Sequence, residues 1–521
     1  MGMADPATSQ DKLIFPLASA SIVATAFGFI LRALVLGDLG QEFNLSATQM
    51  GALAGVGLWP FALSIALFSL VIDRVGFRLV FVFALICHVA STIMLITATN
   101  YTQLFMGTFV LSLGNGAVEA GANPLVASVY RNDRIRWLNY LHAGWPGGLV
   151  LGGLLTIILG LTGVTETTTF GLHAWKLKIA LIVIPVAIYG LLLIGRKFPV
   201  TERVAAKVSY RDMLKDAGAC GSAAVSFLAF LAIFGAFVPG FGAVHAAIAA
   251  ILVGAAFFAY TRSLGNPLYV LILLMMMPQA ITELGTASWV TDLVSPQMAK
   301  LGADAAWVLI ATNVVLLLTR LTAGEVVHRF SPVAMLTFSA AVSALSMVMF
   351  AYSSGWMIIV AALLFGLGTA FFWPTTLGYV SEQFPRAGSV GINFVGAAGM
   401  LAAGTIGATL MGTVQDKSNE DYLTRNSPAV ASQVLGAPKP SLLGEYRPID
   451  QTKVTEGPVA EAVTTATNNG KSVALRDMAV LPSVLFVLYL VLLFMYRRRG
   501  GYKRNELHVS EDAIAKAPTG A

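Results

Sequence analysis

Two glutamate residues lie in the middle of long apolar stretches, Glu119 within 102–130 and Glu283 within 266–294. A charged side chain at the centre of a bilayer costs about 2.5–3.5 kcal/mol on insertion scales, so an acid at that depth indicates a function. A carboxyl group there can carry a proton or accept hydrogen bonds from a solute. We predict that Glu119 and Glu283 couple the movement of protons to the movement of a solute.

Further polar residues are predicted to share the site with these acids. Asn123 follows Glu119 by one helical turn and therefore lies on the same helix face. An imidazole titrates near neutral pH, so His142 is a third candidate for proton coupling. Seven residues with guanidinium, amide or indole groups inside apolar stretches are candidates for substrate binding: Arg32, Asn123, Asn139, Trp289, Asn313, Trp373 and Asn393.

The roles of the two acids depend on Arg32. If Arg32 neutralises Glu119, Glu283 becomes the better proton carrier and Glu119 becomes a hydrogen-bond acceptor for the substrate. Each of these polar residues also has a structural explanation. A buried glutamate can form an ion pair or bond to a neighbouring helix, a lone histidine is often only hydrogen-bonded, and aromatic residues anchor helices at the membrane interface.

The composition of the whole chain is that of a membrane protein. Of 521 residues, 56% are hydrophobic and 12% are charged, whereas about 25% are charged in an average soluble domain. This composition excludes soluble, disordered, coiled-coil and nucleic-acid-binding proteins. Cys87 and Cys220 both lie in apolar stretches and support neither a disulfide framework nor a metal site. The sequence shows neither a phosphate-binding glycine loop nor a nucleophile elbow, so we expect no enzyme and no cofactor.

A bilayer core about 30 Å thick requires about 20 apolar residues per helix. The sequence therefore predicts an all-α membrane protein with about 14 transmembrane helices. They lie near residues 17–37, 48–71, 78–98, 102–130, 138–161, 174–195, 218–237, 243–261, 266–294, 304–323, 332–352, 355–380, 386–412 and 478–496.

The distribution of basic residues predicts the orientation. The loops and tails predicted to be cytoplasmic hold most of the 33 lysines and arginines, whereas the short outer loops hold only Lys300. The positive-inside rule then places both termini in the cytoplasm of a multi-pass protein of the cell (inner or plasma) membrane. The predicted domains are an N-terminal six-helix bundle (1–195), a cytoplasmic amphipathic connector (196–217), an inserted helix pair (218–265), a C-terminal six-helix bundle (266–496) with an extended extracytoplasmic loop (413–477), and a cytoplasmic tail (497–521).

Two related motifs lie at corresponding points of the two bundles. SLVIDRVGFR, between the second and third stretches, and RLTAGEVVHRFS, after the tenth, both mark a tight reversal of the chain. A repeated signature indicates a duplicated helical bundle whose halves rock around a central site.

The first motif resembles the signature G-x-x-x-D-R-x-G-x-R/K of the major facilitator superfamily. Ser69 stands in place of its opening glycine, and His328 stands at the acid position of the second copy. The resemblance implies a fold of two six-helix repeats, here with an inserted helix pair. It also implies a central cavity lined by the first and fourth helices of each half. The resemblance further implies that the motifs form a gate, which holds the cytoplasmic side of the molecule closed. The candidate gate residues are Asp73, Arg74, Gly76, Arg78, Arg320 and Arg329.

A narrower resemblance involves the two acids. The stretch from Glu119 through Asn123 to His142, and the later TELGTASW around Glu283, are similar to the fucose:proton symporter family. This resemblance implies secondary active transport, with proton-coupled symport of a sugar or a related polyhydroxylated solute by alternating access. Ala33 stands where that family carries an acid in its first helix, which weakens a simple transfer of its proton mechanism.

Two other functions stay open. The chain is alternatively an exporter or antiporter of an organic anion or drug-like solute, with Arg32 binding the negative group, or a non-transporting membrane sensor that binds a ligand through 413–477. The predicted partners are a small-molecule solute, protons and the lipid bilayer, without nucleic acid or metal. We expect the chain to act as a monomer.

Overall fold

The computed structural model describes residues 11–161, 173–439 and 444–505, apart from gaps at 44, 46–52, 54, 239 and 304. Within these residues the regular structure is helical, with two isolated β-bridges. The first half contains α1 (Ile14–Glu42), α2 (Trp59–Ile96), α3 (Tyr101–Val129), α4 (Arg134–Leu161), α5 (Ala174–Ala180) and α6 (Val183–Leu193). Two short helices, α7 (Glu202–Ala205) and α8 (Tyr210–Lys215), then lead to α9 (Gly218–Phe237) and α10 (Ala243–Thr261).

The second half follows the same pattern of long helices, some of them interrupted. It contains α11 (Pro267–Ala280), α12 (Thr286–Lys300), α13 (Ala306–Leu321), α14 (Ala323–Val327), α15 (Pro332–Tyr352), α16 (Met357–Thr369), α17 (Phe372–Gln383) and α18 (Gly388–Ala402). The chain ends with α19 (Ala408–Asn426), α20 (Pro428–Val434), α21 (Pro458–Met478) and α22 (Val480–Arg498). A π-helical turn joins α11 to α12 at Ile281–Gly285, and another joins α18 to α19 at Ala403–Gly407.

Eleven of the described helical stretches are long and apolar enough to cross a membrane. One of them, α2, has 38 residues and would be about 57 Å long if straight, nearly twice the thickness of a bilayer core. It is interrupted at Gly76, whose φ of 78° lies in the left-handed region that glycine adopts readily. Helix α2 therefore contains two of the predicted segments. The eleven stretches, with α2 counted as two segments, correspond together with α3 and α13 to the fourteen predicted segments. The predicted fold class is therefore confirmed.

The two halves meet along several helix pairs. Helix α4 packs against α1 in its own half and against α13 and α17 of the other half, and α2 packs against α18. One continuous hydrophobic core contains residues of both halves, for example Phe61 and Phe394. The helices that carry the predicted site residues therefore face one another across this seam.

The inserted helices cover one edge of the seam. Helix α9 packs against α10 and also lies against α18 and α11 of the second half and α2 of the first. At the C-terminal end of α9, the Phe237 ring contacts the Trp59 ring, with 5.9 Å between the centroids. The pair is therefore part of the contact between the halves rather than a separate appendage.

The segment 413–477, which we call the cap, differs from the prediction of an extended loop. Helix α19 continues to Asn426, and α21 begins at Pro458, 22 residues before α22. Arg447 donates to the Glu420 carboxylate from both its main-chain nitrogen (2.9 Å) and its Nε (2.7 Å). A small hydrophobic core consists of Leu423, Ala431, Val434, Leu435, Val463 and Ala466. The prediction of an extended segment is therefore wrong. The sequence did not indicate these helices because their few apolar residues are spread over α19, α20, Leu435 and α21 and show no sustained helical period.

Candidate functional site

A buried ion pair lies at the centre of the second half. Arg320, in the last turn of α13, donates from Nη2 to Oε1 of Glu283 over 2.9 Å. Only 1% of Arg320 and 7% of Glu283 is exposed. Taking both charges out of water is costly, and their attraction offsets that cost only with good geometry and further hydrogen bonds. The pair by itself is therefore weak evidence of a stabilising role.

Arg320 makes two further hydrogen bonds, both to main-chain oxygens. Its Nε donates to Ala370 (2.8 Å) between α16 and α17, and its Nη1 donates to His142 (2.9 Å) in α4 of the opposite half. We predicted Arg320 as a gate residue beside the second motif. The structure places it in a buried network whose members are Glu119, Asn123, His142, Glu283 and Arg320, and which we call the central network. In this network the guanidinium of Arg320 contacts both halves.

Glu283 occupies the π-helical turn between α11 and α12. A π turn is rare and is frequently found at functional sites. The second π turn packs against the first, and a Cβ atom at Gly407 would lie 3.2 Å from the Ile281 side chain. Glycine at 407 thus allows the two irregular turns to approach each other.

The acid of the first half is held by a different set of partners. Oε2 of Glu119 accepts a hydrogen bond from the Asn123 amide nitrogen over 2.6 Å, and Nε2 of His142 lies 2.8 Å from the Asn123 amide oxygen. Because that oxygen is an acceptor, Nε2 carries the hydrogen and donates it. All three side chains are buried. The structure thus joins Glu119, Asn123 and His142 into one chain of hydrogen bonds.

The described contacts of Arg32 lie apart from this network. Its Nη1 donates to the main-chain oxygen of Leu53 (3.1 Å), and its guanidinium lies over the Phe29 ring. A cation within electrostatic range of Glu119 is Arg320. Arg320 forms its ion pair with Glu283, whereas the Glu119 carboxylate accepts its described hydrogen bond from Asn123.

Several buried polar atoms near the seam have no hydrogen-bond partner among the described residues. They are Nε1 of Trp373, Oδ1 of Asn139, Oδ1 of Asn393 and Oε2 of Glu283. The amide nitrogens of both asparagines do reach the opposite half, Asn139 at Thr375 (3.4 Å) and Asn393 at the Ala120 oxygen (2.9 Å). A buried polar atom without a partner is costly and calls for an explanation, such as a ligand that it binds.

The described contacts of Asn313, a predicted substrate-binding residue, do not bring it into this network. Asn313 is half-buried and donates to the Leu309 oxygen of its own helix (2.9 Å). The side chain of Trp289, another predicted substrate-binding residue, lies outside the described residues.

The first motif forms a contact that the sequence did not predict in detail. The Asp73 carboxylate accepts hydrogen bonds from Nε of Arg203 (2.6 Å) and Oγ1 of Thr201 (2.7 Å). Arg203 packs beside Gly388 at the start of α18, where an added Cβ would lie 3.2 Å from the arginine. No sequence pattern pointed to Arg203 or Thr201, because both lie in the connector, about 130 residues from Asp73.

The other predicted gate residues are on the surface. The Arg74 guanidinium lies 4.7 Å from the centroid of the Tyr210 ring. Burial raises the pKa of Tyr210, so its hydroxyl stays protonated and donates to the Leu70 oxygen (2.8 Å). The gate candidates Arg74, Gly76, Arg78 and Arg329 are all exposed.

Direct bonds join the two halves at this end of the molecule. Nη1 of Arg134 donates to the Ser381 oxygen (2.5 Å), and the Ser389 hydroxyl donates to the Ser69 oxygen (3.2 Å). Between them lies a cavity of only about 30 Å³, lined in part by Ser128. The halves are therefore closed at the end where the positive-inside rule places the cytoplasm.

The chain is similar to known membrane transporters in sequence and in structure. Residues 17–294 match the family model of the Major Facilitator Superfamily. The crystal structure of the fucose:proton symporter of Escherichia coli superposes with a TM-score of 0.59 at 15% identity, covering 92% of this chain and 98% of that one. The E. coli proton:xylose symporter gives a TM-score of 0.61 at 14% identity, with coverage of 97% and 98%. At these identities the likeness shows the fold.

A curated relative matches over a shorter region. The gentisate transporter of Corynebacterium glutamicum is 21% identical over 192 residues, which is 37% of this chain. The match covers about two fifths (41%) of the length of that relative.

Proposed function

This chain belongs to the Major Facilitator Superfamily, and from that premise we propose that it is a proton-coupled symporter of a sugar or a related polyhydroxylated solute. That it is a multi-pass membrane transporter follows from the family match and the fold. The coupling ion, the solute and the roles of single residues are the proposal. The observation that carries it is the position of Arg320 between Glu283 and the main chain of the opposite half.

The charges of the central network suggest one proton per cycle. Glu119 and Glu283 are two acids, Arg320 is one cation, and His142 is a base that can stay neutral. With both acids ionised the network carries one uncompensated negative charge, which is costly in a medium of low dielectric constant. Because Glu283 already has its cation, we assign the coupling proton to Glu119.

Protonation of Glu119 would loosen the contact between the halves. The ionised acid attracts Arg320 toward the first half, where Arg320 also binds the His142 oxygen. A proton on Glu119 removes that attraction and leaves Arg320 with Glu283. The equilibrium then shifts toward a state in which the halves separate at their closed end, as alternating access requires.

The unpartnered polar atoms suggest a solute with several hydroxyl groups. The indole nitrogen of Trp373 offers a donor, and the amide oxygens of Asn139 and Asn393 offer acceptors. A hydroxyl both donates and accepts, so one polyhydroxylated molecule could satisfy all three atoms. The flat face of Trp373 could also pack against the apolar side of a sugar ring.

Uptake by purified protein in proteoliposomes tests this proposal. We expect an inward proton gradient to drive accumulation of at least one sugar from a panel. Glu119→Gln should abolish this accumulation while solute exchange without a gradient persists. Glu461→Gln, on the exposed surface of the cap, is the matched control and should behave like the parent. If Glu119→Gln accumulates solute in response to the gradient as the parent does, the assignment of the coupling proton is wrong.

A second candidate function is transport of a small organic anion. It is favoured by the buried guanidinium of Arg320 and by the match to the gentisate transporter. For this function Arg320, rather than Arg32, would release Glu283 and bind the carboxylate of the solute. The same proteoliposomes separate the two functions. Saturable uptake of aromatic carboxylates without uptake of any neutral sugar would favour the anion.

The orientation and assembly stay predictions. We propose that both termini are cytoplasmic, that the closed end faces the cytoplasm, and that the chain acts as a monomer. Labelling of single cysteines introduced at Lys300 and Arg499 from either side of the membrane tests the orientation.

A further inference from the structure

Two grooves meet at Arg476, where the cap joins the membrane part of the second half. A polar groove of about 380 Å³ lies between α19 and α21 and is lined by Lys417, Asp421, Arg425, Asn469, Arg476 and Asp477, among others. An apolar groove of about 520 Å³ runs along α22 beside Val348 of α15 and is lined by Ala479, Val484 and Leu488, again with Arg476. Arg476 lines both grooves, so they form one continuous amphipathic surface.

The apolar groove opens to the outside of the helix bundle. Val480, Val484 and Val487 on its wall are each about half exposed, and on a membrane helix such residues face lipid. Tyr352 and Trp356, at the neighbouring end of α15 and just before α16, are about 70% exposed. Exposed Tyr and Trp mark the depth of the lipid headgroups. Arg476 interacts with Tyr352 and therefore lies at headgroup level.

The charges of the polar groove are mixed. Arg476, Lys417 and Arg425 supply cations, and Asp421 and Asp477 supply carboxylates. Nε of Arg476 already donates to Oδ1 of Asp477 over 2.7 Å, so a bound headgroup would meet the terminal nitrogens of Arg476 and the second oxygen of Asp477. A purely anionic headgroup would satisfy the cations but would lie beside two carboxylates. A headgroup with a phosphate and a primary ammonium satisfies both sets, because guanidinium binds phosphate and ammonium donates to carboxylate.

We propose that this surface binds a phospholipid with an ethanolamine-type headgroup. An acyl chain lies in the apolar groove along α22, the phosphate accepts hydrogen bonds from Arg476 and Lys417, and the ammonium donates to Asp421 or Asp477. The site lies in the cap and on the lipid-facing side of α22, away from the central network. It does not depend on the proposed transport function.

Native mass spectrometry of delipidated protein tests this site. Ethanolamine, choline and glycerol phospholipids with identical acyl chains are titrated into the protein in detergent. We expect the ethanolamine lipid to bind at the lowest concentration, because the quaternary ammonium of choline has no N–H donor and glycerol has no cation. Arg476→Gln should raise the concentration for half occupancy about tenfold, as expected for a lost charge-assisted hydrogen bond.

Two further variants complete the experiment. Lys453→Gln removes a cap cation that pairs with Asp450 and does not line the grooves, so it should bind lipid like the parent. Ser483→Trp fills the apolar groove without changing a charge and should also weaken binding. It keeps the test decisive if thermal unfolding in lipid-free detergent shows that Arg476→Gln does not fold. Equal binding of the three lipids, or unchanged binding by folded Arg476→Gln or by Ser483→Trp, would overturn the proposal.

Discussion

Arg320 donates a hydrogen bond to the main-chain oxygen of His142, 2.9 Å away in the opposite half of the molecule. The acceptor is a main-chain atom, so substitution of the His142 side chain does not remove this contact. The imidazole of the same residue bonds to Asn123, which in turn bonds to Glu119. His142 thus connects the two acids through two different atoms, and variants at Arg320 and at His142 test different parts of the network.

The buried ion pair allows a prediction about stability. Arg320→Met leaves Glu283 buried without its cation and should lower the free energy of unfolding by about 3–5 kcal/mol. The double variant Arg320→Met/Glu283→Met replaces both charges with apolar groups, so it should recover most of that loss and still not transport. Thermal unfolding in detergent and uptake in proteoliposomes measure the two properties. If the double variant is as unstable as Arg320→Met, then Arg320 stabilises the fold mainly through contacts other than its pair with Glu283.

Trp373 allows stability and binding to be separated. Its indole nitrogen is buried without a partner among the described residues, so Trp373→Phe removes no hydrogen bond of the folded chain. We expect the unfolding temperature to stay within a few degrees of the parent. If the nitrogen donates to the solute, the affinity should fall about three- to tenfold, as for one lost hydrogen bond. Solute binding by calorimetry checks this prediction, and unchanged affinity would remove Trp373 from the proposed site.

Particular residues show how far the sequence could predict this site. Asn123 could be placed beside Glu119 because one helical turn separates them, and the structure shows that hydrogen bond. The partner of Glu283 could not be predicted, because Arg320 is 37 residues away on another helix and only packing brings them together.

The fold shows the same contrast. Apolar stretches predicted the membrane helices because each needs a long hydrophobic surface. The cap escaped prediction because α19 and α21 carry many polar residues and gain their contacts from each other and from a small core. The local hydrophobic pattern of the sequence therefore predicts the membrane helices. It does not predict contacts between residues that are distant in sequence, on which the cap depends.

Asp73 and Arg203 should control opening at the closed end. Either Asp73→Asn or Arg203→Gln removes the charge-assisted bond that fixes the connector against the first motif. We expect a cysteine at Ser128, which lines the small cavity between the halves, to react several-fold faster with a maleimide reagent. The exposed native thiol of Cys220 is replaced by serine in all variants. Arg211→Gln, at an exposed position of the connector, is the control. Equal reaction rates in Asp73→Asn and the control would contradict a gating role.

Residues Tyr502–Asn505, in the tail that follows α22, should also help to hold the two halves together at the closed end. The Tyr502 hydroxyl donates to the Glu382 carboxylate (2.7 Å), and Asn505 donates to the main-chain oxygens of Glu382 (2.9 Å) and Gln383 (2.8 Å). Nη1 of Arg504 then reaches the Asn132 oxygen of the first half (2.8 Å). The segment is thus fixed to the end of α17 and touches the opposite half through Arg504.

Arg504→Ala should therefore increase labelling of the Ser128 cysteine in the same direction as Asp73→Asn, by about two- to fivefold, because one partly exposed hydrogen bond is lost. Lys503→Ala is the matched control, since Lys503 contributes only its main-chain oxygen to the described contacts. Burial raises the pKa of Tyr502, so its proton stays bound throughout the range below the ordinary tyrosine value of about 10. The Tyr502 hydroxyl therefore keeps its proton up to about pH 9, and the ratio of labelling rates between Arg504→Ala and Lys503→Ala should stay constant from neutral pH to about pH 9. A ratio of one at neutral pH would show that the tail does not hold the halves together.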